Sequence, residues 1–142
     1  MKRYRTEFEA ITAEQLLSRN VSFDYEPARL RYQDKDGRKR IVMLDFHLKP
    51  QSNDPHGGMF VEAKSLLKHE HLARYEKLKA QRPDLDIRFV FEEPDKIITH
   101  YRVDDGEGGS MSVSYSEWCD MNGFKWNGDT IPTAWLKELK KK

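Results

Sequence analysis

Residues 60–91 restrict the fold more than any other segment, because two β-rich runs there bracket one long helical pattern. Phe60-Val61-Glu62-Ala63-Lys64 reads as a strand. From Leu66 to Gln81, the residues Leu67, Leu72, Tyr75 and Leu78 fall mostly at helical spacing. Pro83 then stops the helix, since its ring fixes φ and removes an N–H. Ile87-Arg88-Phe89-Val90-Phe91 is β-rich again and is closed by Glu92-Glu93-Pro94. A strand–helix–strand unit must rest on a sheet, so the predicted class is α/β, with a mixed central β-sheet flanked by helices.

The flanking sequence fits that frame. Thr6, with Glu9 three residues on and then Ile11, Leu16 and Leu17, predicts a helix over 6–19 that opens on a capping box, with Asn20 as its stop. Val21, Phe23 and Tyr25 alternate with Ser22, Asp24 and Glu26, the period of a half-buried strand. Arg29–Gln33 and Ile41–Leu48 flank Asp34-Lys35-Asp36-Gly37, where Gly37 can adopt the positive φ of a hairpin turn, and they should pair antiparallel. The proline- and glycine-containing stretch 50–58 reads as a longer loop. Past the last β run, Gly106, Gly108 and Gly109 predict a flexible loop. Ser114 with Glu117 predicts a capping-box helix that Gly123 closes. Trp118, Trp126 and Trp135 are expected to pin this end onto the body.

At 142 residues the length suits one domain, 1–142, with a basic tail from about 137 to 142. Hydrophobic residues make up 37% and charged residues 35%, so part of the core is expected to be shared with a partner. No apolar run approaches the roughly 18 residues that span a bilayer, and a soluble, intracellular protein is expected. The lone Cys119 rules out an internal disulfide and a cysteine zinc cage. A net charge of +1 does not itself announce a nucleic-acid partner. Its distribution is uneven, with cations bunched at Lys2, Arg3 and Arg5, at Lys35–Arg40, along the long helix and at the C-terminal end.

Chemistry is concentrated on the strand 60–64. Side chains two apart share a face, so Glu62 and Lys64 stand together beside Phe60. Asp45 sits between Leu44 and Phe46 in another predicted strand, where an unpaired carboxylate is costly to bury. If the two strands are neighbours, Asp45 and Glu62 can share a Mg²⁺, and Lys64 can orient or help deprotonate water or hold a phosphate oxygen. The spacing alone is weak. Glu138-Leu139-Lys140 repeats Glu-x-Lys in the charged tail, and a solvated ion pair also explains the pattern.

The helix ending near Asn20, Val21-Ser22-Phe23-Asp24-Tyr25-Glu26, Leu44-Asp45-Phe46 and Phe60-Val61-Glu62-Ala63-Lys64 together resemble the phage endonuclease I family of Holliday-junction resolvases. Arg82-Pro83-Asp84-Leu85-Asp86-Ile87-Arg88-Phe89-Val90-Phe91, Tyr115–Cys119 and Ile131–Glu138 continue the likeness in the family's order, so it covers most of the chain. The resemblance implies a restriction-endonuclease-like fold in an intertwined homodimer. It also implies hydrolysis of branched DNA and a cytoplasmic site of action in a phage's host. The catalytic positions it implies are Glu9, Asp45, Glu62 and Lys64. Two Mg²⁺ ions per site are implied, with Mn²⁺ able to substitute. Asp45 would bridge them, Glu62 and the Ala63 carbonyl would hold one, and Glu9 would support the other. Two departures stand out: Met43-Leu44 replaces the family's Thr-Pro before the aspartate, and the loop between Asp45 and Glu62 is longer.

Several residues keep two readings. Glu9 is equally accounted for as the capping-box acid paired with Thr6. His47 is either a structural histidine or a phosphate contact. His69 and His71 lie on different helix faces and read as surface or phosphate contacts. Arg5, Lys68, Arg74 and Lys77 are the candidate DNA-backbone contacts. Cys119 and the tryptophans read as core. The substrate could also be less selective, making the chain a nicking or debranching nuclease, and a non-catalytic DNA-binding or virion-assembly module on the same fold is the reading from another class.

Overall fold

The computed structural model describes residues 4–26, 29–50 and 57–139. Lys2, Arg3, the middle of the predicted loop (51–56) and the end of the basic tail (140–142) lie outside them. The chain runs α1 (Glu7–Ser18), β1 (Phe23–Tyr25), β2 (Arg29–Gln33), β3 (Lys39–Met43), β4 (Phe46–Leu48), β5 (Met59–Lys64), α2 (His69–Gln81), β6 (Ile87–Phe91), β7 (Ile97–Asp104), β8 (Ser110–Ser114), α3 (Tyr115–Asn122), β9 (Lys125–Gly128) and α4 (Thr133–Leu139). A five-stranded sheet has the order β1-β4-β5-β6-β9, and β2-β3 and β7-β8 form separate two-stranded ribbons. The central sheet is mixed: β1, β4 and β5 pair antiparallel, whereas β5, β6 and β9 pair parallel. The predicted strand–helix–strand unit is therefore its middle.

Alternation along β5 and β6 sends side chains to two cores. Phe60, Phe89 and Phe91 meet Leu72, Tyr75 and Leu78 of α2, Trp118 and Cys119 of α3, and Leu30, Val42, Ile98 and Val113 from the two ribbons. Met59, Val61, Ala63 and Val90 on the other face meet Phe8, Ala13 and Leu16 of α1 and Trp135 and Leu139 of α4. Both faces are covered, as expected of strands in a parallel layer. Fully burying one such large apolar side chain contributes about 1.5–3 kcal/mol.

One predicted strand is corrected. The run 41–48 is not continuous: β3 ends at Met43, β4 begins at Phe46, and the two belong to different sheets. Hydrophobic continuity through Leu44 and Phe46 hid the break, because both residues are fully buried on either side of the corner. Asp45 stands at that corner, where its carbonyl accepts the Glu26 N–H at 2.8 Å. The glycine-containing segment 105–109 is the turn of the ribbon β7–β8, whose strands the sequence did not announce. β7 exposes most of its residues, so its pattern lacks a sharp apolar alternation.

Capping follows the sequence closely. At α3, Ser114 Oγ accepts the Glu117 N–H at 3.2 Å and the Glu117 carboxylate accepts the Ser114 N–H at 2.9 Å, a complete capping box that Gly123 closes in the left-handed conformation. At α1 only half the box forms: Thr6 Oγ accepts the Glu9 N–H at 3.1 Å, while the Glu9 carboxylate accepts the Thr6 hydroxyl at 3.0 Å instead of closing the box. α2 begins later than predicted, at His69, after residues 65–68 leave the sheet. No helix among the described residues is long and apolar enough to cross a membrane.

Candidate active site

The sheet brings β4 beside β5, and the corner before β4 places Asp45 against Glu62 and Ala63. The Asp45 backbone N–H donates to Glu62 Oε1. The Ala63 N–H donates to Asp45 Oδ2 at 3.0 Å. Lys64 Nζ lies 3.2 Å from Glu62 Oε2 and 3.5 Å from Asp45 Oδ2. Glu62 and Lys64 therefore share a strand face as their spacing predicts, and Asp45 joins them from a bend rather than from a strand interior.

Glu9 arrives from α1. It is only 3% exposed, and its carboxylate accepts the Thr6 hydroxyl at 3.0 Å and the Tyr25 hydroxyl at 2.8 Å. The capping and site readings are thus compatible: the Glu9 N–H serves the cap, while its carboxylate faces the site. One ligand oxygen from each of Glu9, Glu26 and Asp45 lies within 4.8 Å of the others. Glu26 has φ of 49°, a left-handed conformation uncommon for residues with a side chain. Its carboxylate is paired with Arg5 at 2.7 Å. Arg5, read from sequence as a DNA contact, therefore stands at the acidic cluster.

This crowding of negative charge shapes the electrostatics. Burial, then the neighbouring Glu62 carboxylate, pushes the Asp45 carboxyl up to about 8. Burial opposes the charge of Lys64, but Glu62, Tyr75 and Asp45 outweigh it and hold the ammonium above the ordinary lysine range. An ammonium so placed offers N–H donors toward a phosphate oxygen or a water.

Oxygen ligands alone, with acids near one another and a cation at their edge, fit a hard divalent ion such as Mg²⁺. The donors brought within reach of one ion are Glu9, Glu26 and Asp45. Both Glu62 oxygens carry hydrogen bonds, Oε1 from the Asp45 N–H and Oε2 from the Tyr75 hydroxyl. Glu26, Tyr25 and Tyr75 escaped the sequence reading. Tyr75 looked like one more apolar member of the helical stripe, and Glu26 like the outward residue of an alternating strand. Neither position carried a local signal of what it would meet.

The remaining candidates separate. His47 Nε2 lies 2.7 Å from the Gly57 carbonyl, and its ring stacks on Phe60 at 4.3 Å, which satisfies the structural reading. Lys68 is exposed at the start of α2, and Arg74 and Lys77 are half-buried along it. Burial, with Arg74, Lys64 and Lys68 adding positive charge, lowers the His71 pKa, so a basic end of α2 adjoins the site. Cys119 is wholly buried, and burial followed by Asp120 raises its thiol far above the usual range, leaving it inert packing.

The family model for phage endonuclease I matches residues 1–142. Endodeoxyribonuclease 1 of Enterobacteria phage T3 is 30% identical over 138 residues, covering 97% of this chain and 80% of that protein. Endonuclease I of Escherichia phage T7 is 28% identical over 138 residues, covering 97% of this chain and 81% of that protein.

Proposed function

This chain belongs to the phage endonuclease I family, and from that footing we propose that it is a DNA endonuclease that resolves four-way and branched junctions by metal-dependent phosphodiester hydrolysis, as a homodimer. The observation that carries the reading is the convergence of Glu9, Asp45, Glu62 and Lys64, from separate parts of the chain, around one buried acidic centre. A structural ion pair would need one acid for Lys64. Here the acids outnumber the nearby cations, which is the imbalance a divalent cation corrects.

Glu9, Glu26 and Asp45 would hold Mg²⁺ or Mn²⁺, with Glu62 and the Ala63 carbonyl as the adjoining donors for a second ion. A bound divalent ion supplies Lewis-acid stabilisation of charge developing on the scissile phosphate. Lys64, beside Glu62 and Asp45, can hold a phosphate oxygen, or orient or help deprotonate the attacking water. Glu62 keeps that ammonium in place while binding the Asp45 backbone, which ties β5 to the corner. Lys68, Arg74 and Lys77 extend the positive surface along α2 for the DNA backbone, a sequence-independent contact suited to reading shape.

Paired incisions on a four-way junction require two such sites. A two-fold homodimer would supply the second site. The test is a synthetic four-way junction incubated with protein and Mg²⁺. Paired, symmetry-related nicks are expected, and their absence from a folded dimer would refute the reading. Equal rates on linear duplex would instead mark a less selective nicking or debranching enzyme, and metal-independent binding without turnover a non-catalytic module.

A further inference from the structure

We infer that Tyr75 is a positioning residue, its buried hydroxyl setting the orientation of the Glu62 carboxylate and, through it, the places of Lys64 and the Asp45 corner. The inference rests on the nuclease reading of this site and deepens it.

The Tyr75 hydroxyl donates to Glu62 Oε2 at 2.6 Å, a short bond to a carboxylate. The donor cannot swing away. Tyr75 is 1% exposed on α2, with its ring edge-on to Phe89 at 5.0 Å and to Trp118 at 6.2 Å. The acceptor is equally enclosed, since Glu62 is 1% exposed. Its Oε1 is taken by the Asp45 N–H, so the Tyr75 hydroxyl and the Lys64 ammonium converge on the remaining oxygen. These contacts fix the carboxylate plane. Without the Tyr75 hydroxyl, Oε2 would be held by Lys64 on its flexible stem, and only Oε1 would keep a backbone donor.

Core packing does not explain the hydroxyl. A phenylalanine would fill the same space against Phe89 and Trp118 without a buried polar atom that must find a partner. Burial, followed by the Glu62 carboxylate, also raises Tyr75 well above the usual phenol range, so it remains a donor. A group that orients a ligand or an ion-pairing carboxylate from behind typically changes metal affinity or turnover by about 10–100-fold when removed.

The experiment compares Tyr75→Phe with Leu78→Val, which trims the same helix face and core without touching the carboxylate. Turnover is measured on a branched DNA at saturating Mg²⁺, junction affinity without divalent metal, and Mn²⁺ binding to the DNA-free protein by calorimetry. Tyr75→Phe is expected to lower kcat by about 10–100-fold and to weaken Mn²⁺ binding about tenfold. KM and junction affinity should be unchanged within about twofold, since the substitution removes no cationic side chain and leaves Lys68, Arg74 and Lys77 in place. Leu78→Val should keep wild-type kcat and Mn²⁺ affinity while losing stability. In a Glu62→Gln background, Tyr75→Phe should add no further loss of Mn²⁺ binding, because the two act as one unit. Unchanged kcat and Mn²⁺ affinity in Tyr75→Phe, or an equal fall in Leu78→Val, overturns the inference. If the wild-type protein cuts no DNA, the nuclease reading fails by itself, and Mn²⁺ binding still decides the role of Tyr75.

Discussion

Replacing Asp45 by asparagine should abolish cleavage and, in the absence of metal, make the protein more stable. Burial and Glu62 push the Asp45 carboxyl from the ordinary 3.8 to about 8. Between those values the folded chain holds a proton that the unfolded chain releases. The stability linked to this group is full below about pH 4 and is lost as pH rises through about 8. At about 1.4 kcal/mol for each pH unit, holding that proton at pH 7 costs roughly 4 kcal/mol. An amide needs no proton and can still accept the Ala63 N–H. The amide oxygen is a weaker partner for the Lys64 ammonium than the carboxylate that forms as pH approaches 8, however, which offsets part of the gain. A net stabilisation of about 2 kcal/mol at pH 7–8 is expected. The assay is urea unfolding of both proteins at one concentration, in EDTA, at pH 6 and pH 8, with the gap widening at the higher pH. Adding Mg²⁺ should reverse the order, because an ion at 100 times its Kd stabilises the protein that binds it by about 2.7 kcal/mol. A variant less stable than wild type in EDTA at pH 8, or a gap that does not grow from pH 6, would refute the argument that crowded charge dominates this corner.

Arg88 is 2% exposed, donates to both Asp86 and Glu138 and lies 5.2 Å from the Trp135 ring. Arg88→Met should cost about 3 kcal/mol, at the low end for a broken buried pair because both acids can rehydrate, and denaturation followed by tryptophan fluorescence measures it. Gly58 has φ of 78°, and a Cβ there would collide with the Leu48 carbonyl oxygen, so Gly58→Ala should destabilise by about 1–3 kcal/mol in thermal unfolding. Alanine at Lys68, Arg74 and Lys77 should weaken binding of any DNA alike, with each reducing the salt slope of the binding constant by about 1.

Local periodicity in the sequence determined the strand–helix–strand unit, the Ser114 and Thr6 caps and the shared face of Glu62 and Lys64. Each of these depends on residues a few positions apart, where backbone geometry alone fixes direction. The likeness to a nuclease family was legible too, because whole segments match in order. What only the tertiary structure decided is which groups Asp45 would meet. Its predicted strand breaks at the corner between two sheets, and hydrophobicity cannot register a break when buried residues flank it. Glu26 and Tyr75 reach the acidic centre across 19 and 13 residues of chain from Asp45 and Glu62 respectively, distances read from the sequence itself. Contacts of that range are set by how β4 packs beside β5 and α2 over it, and no pattern within one segment encodes them.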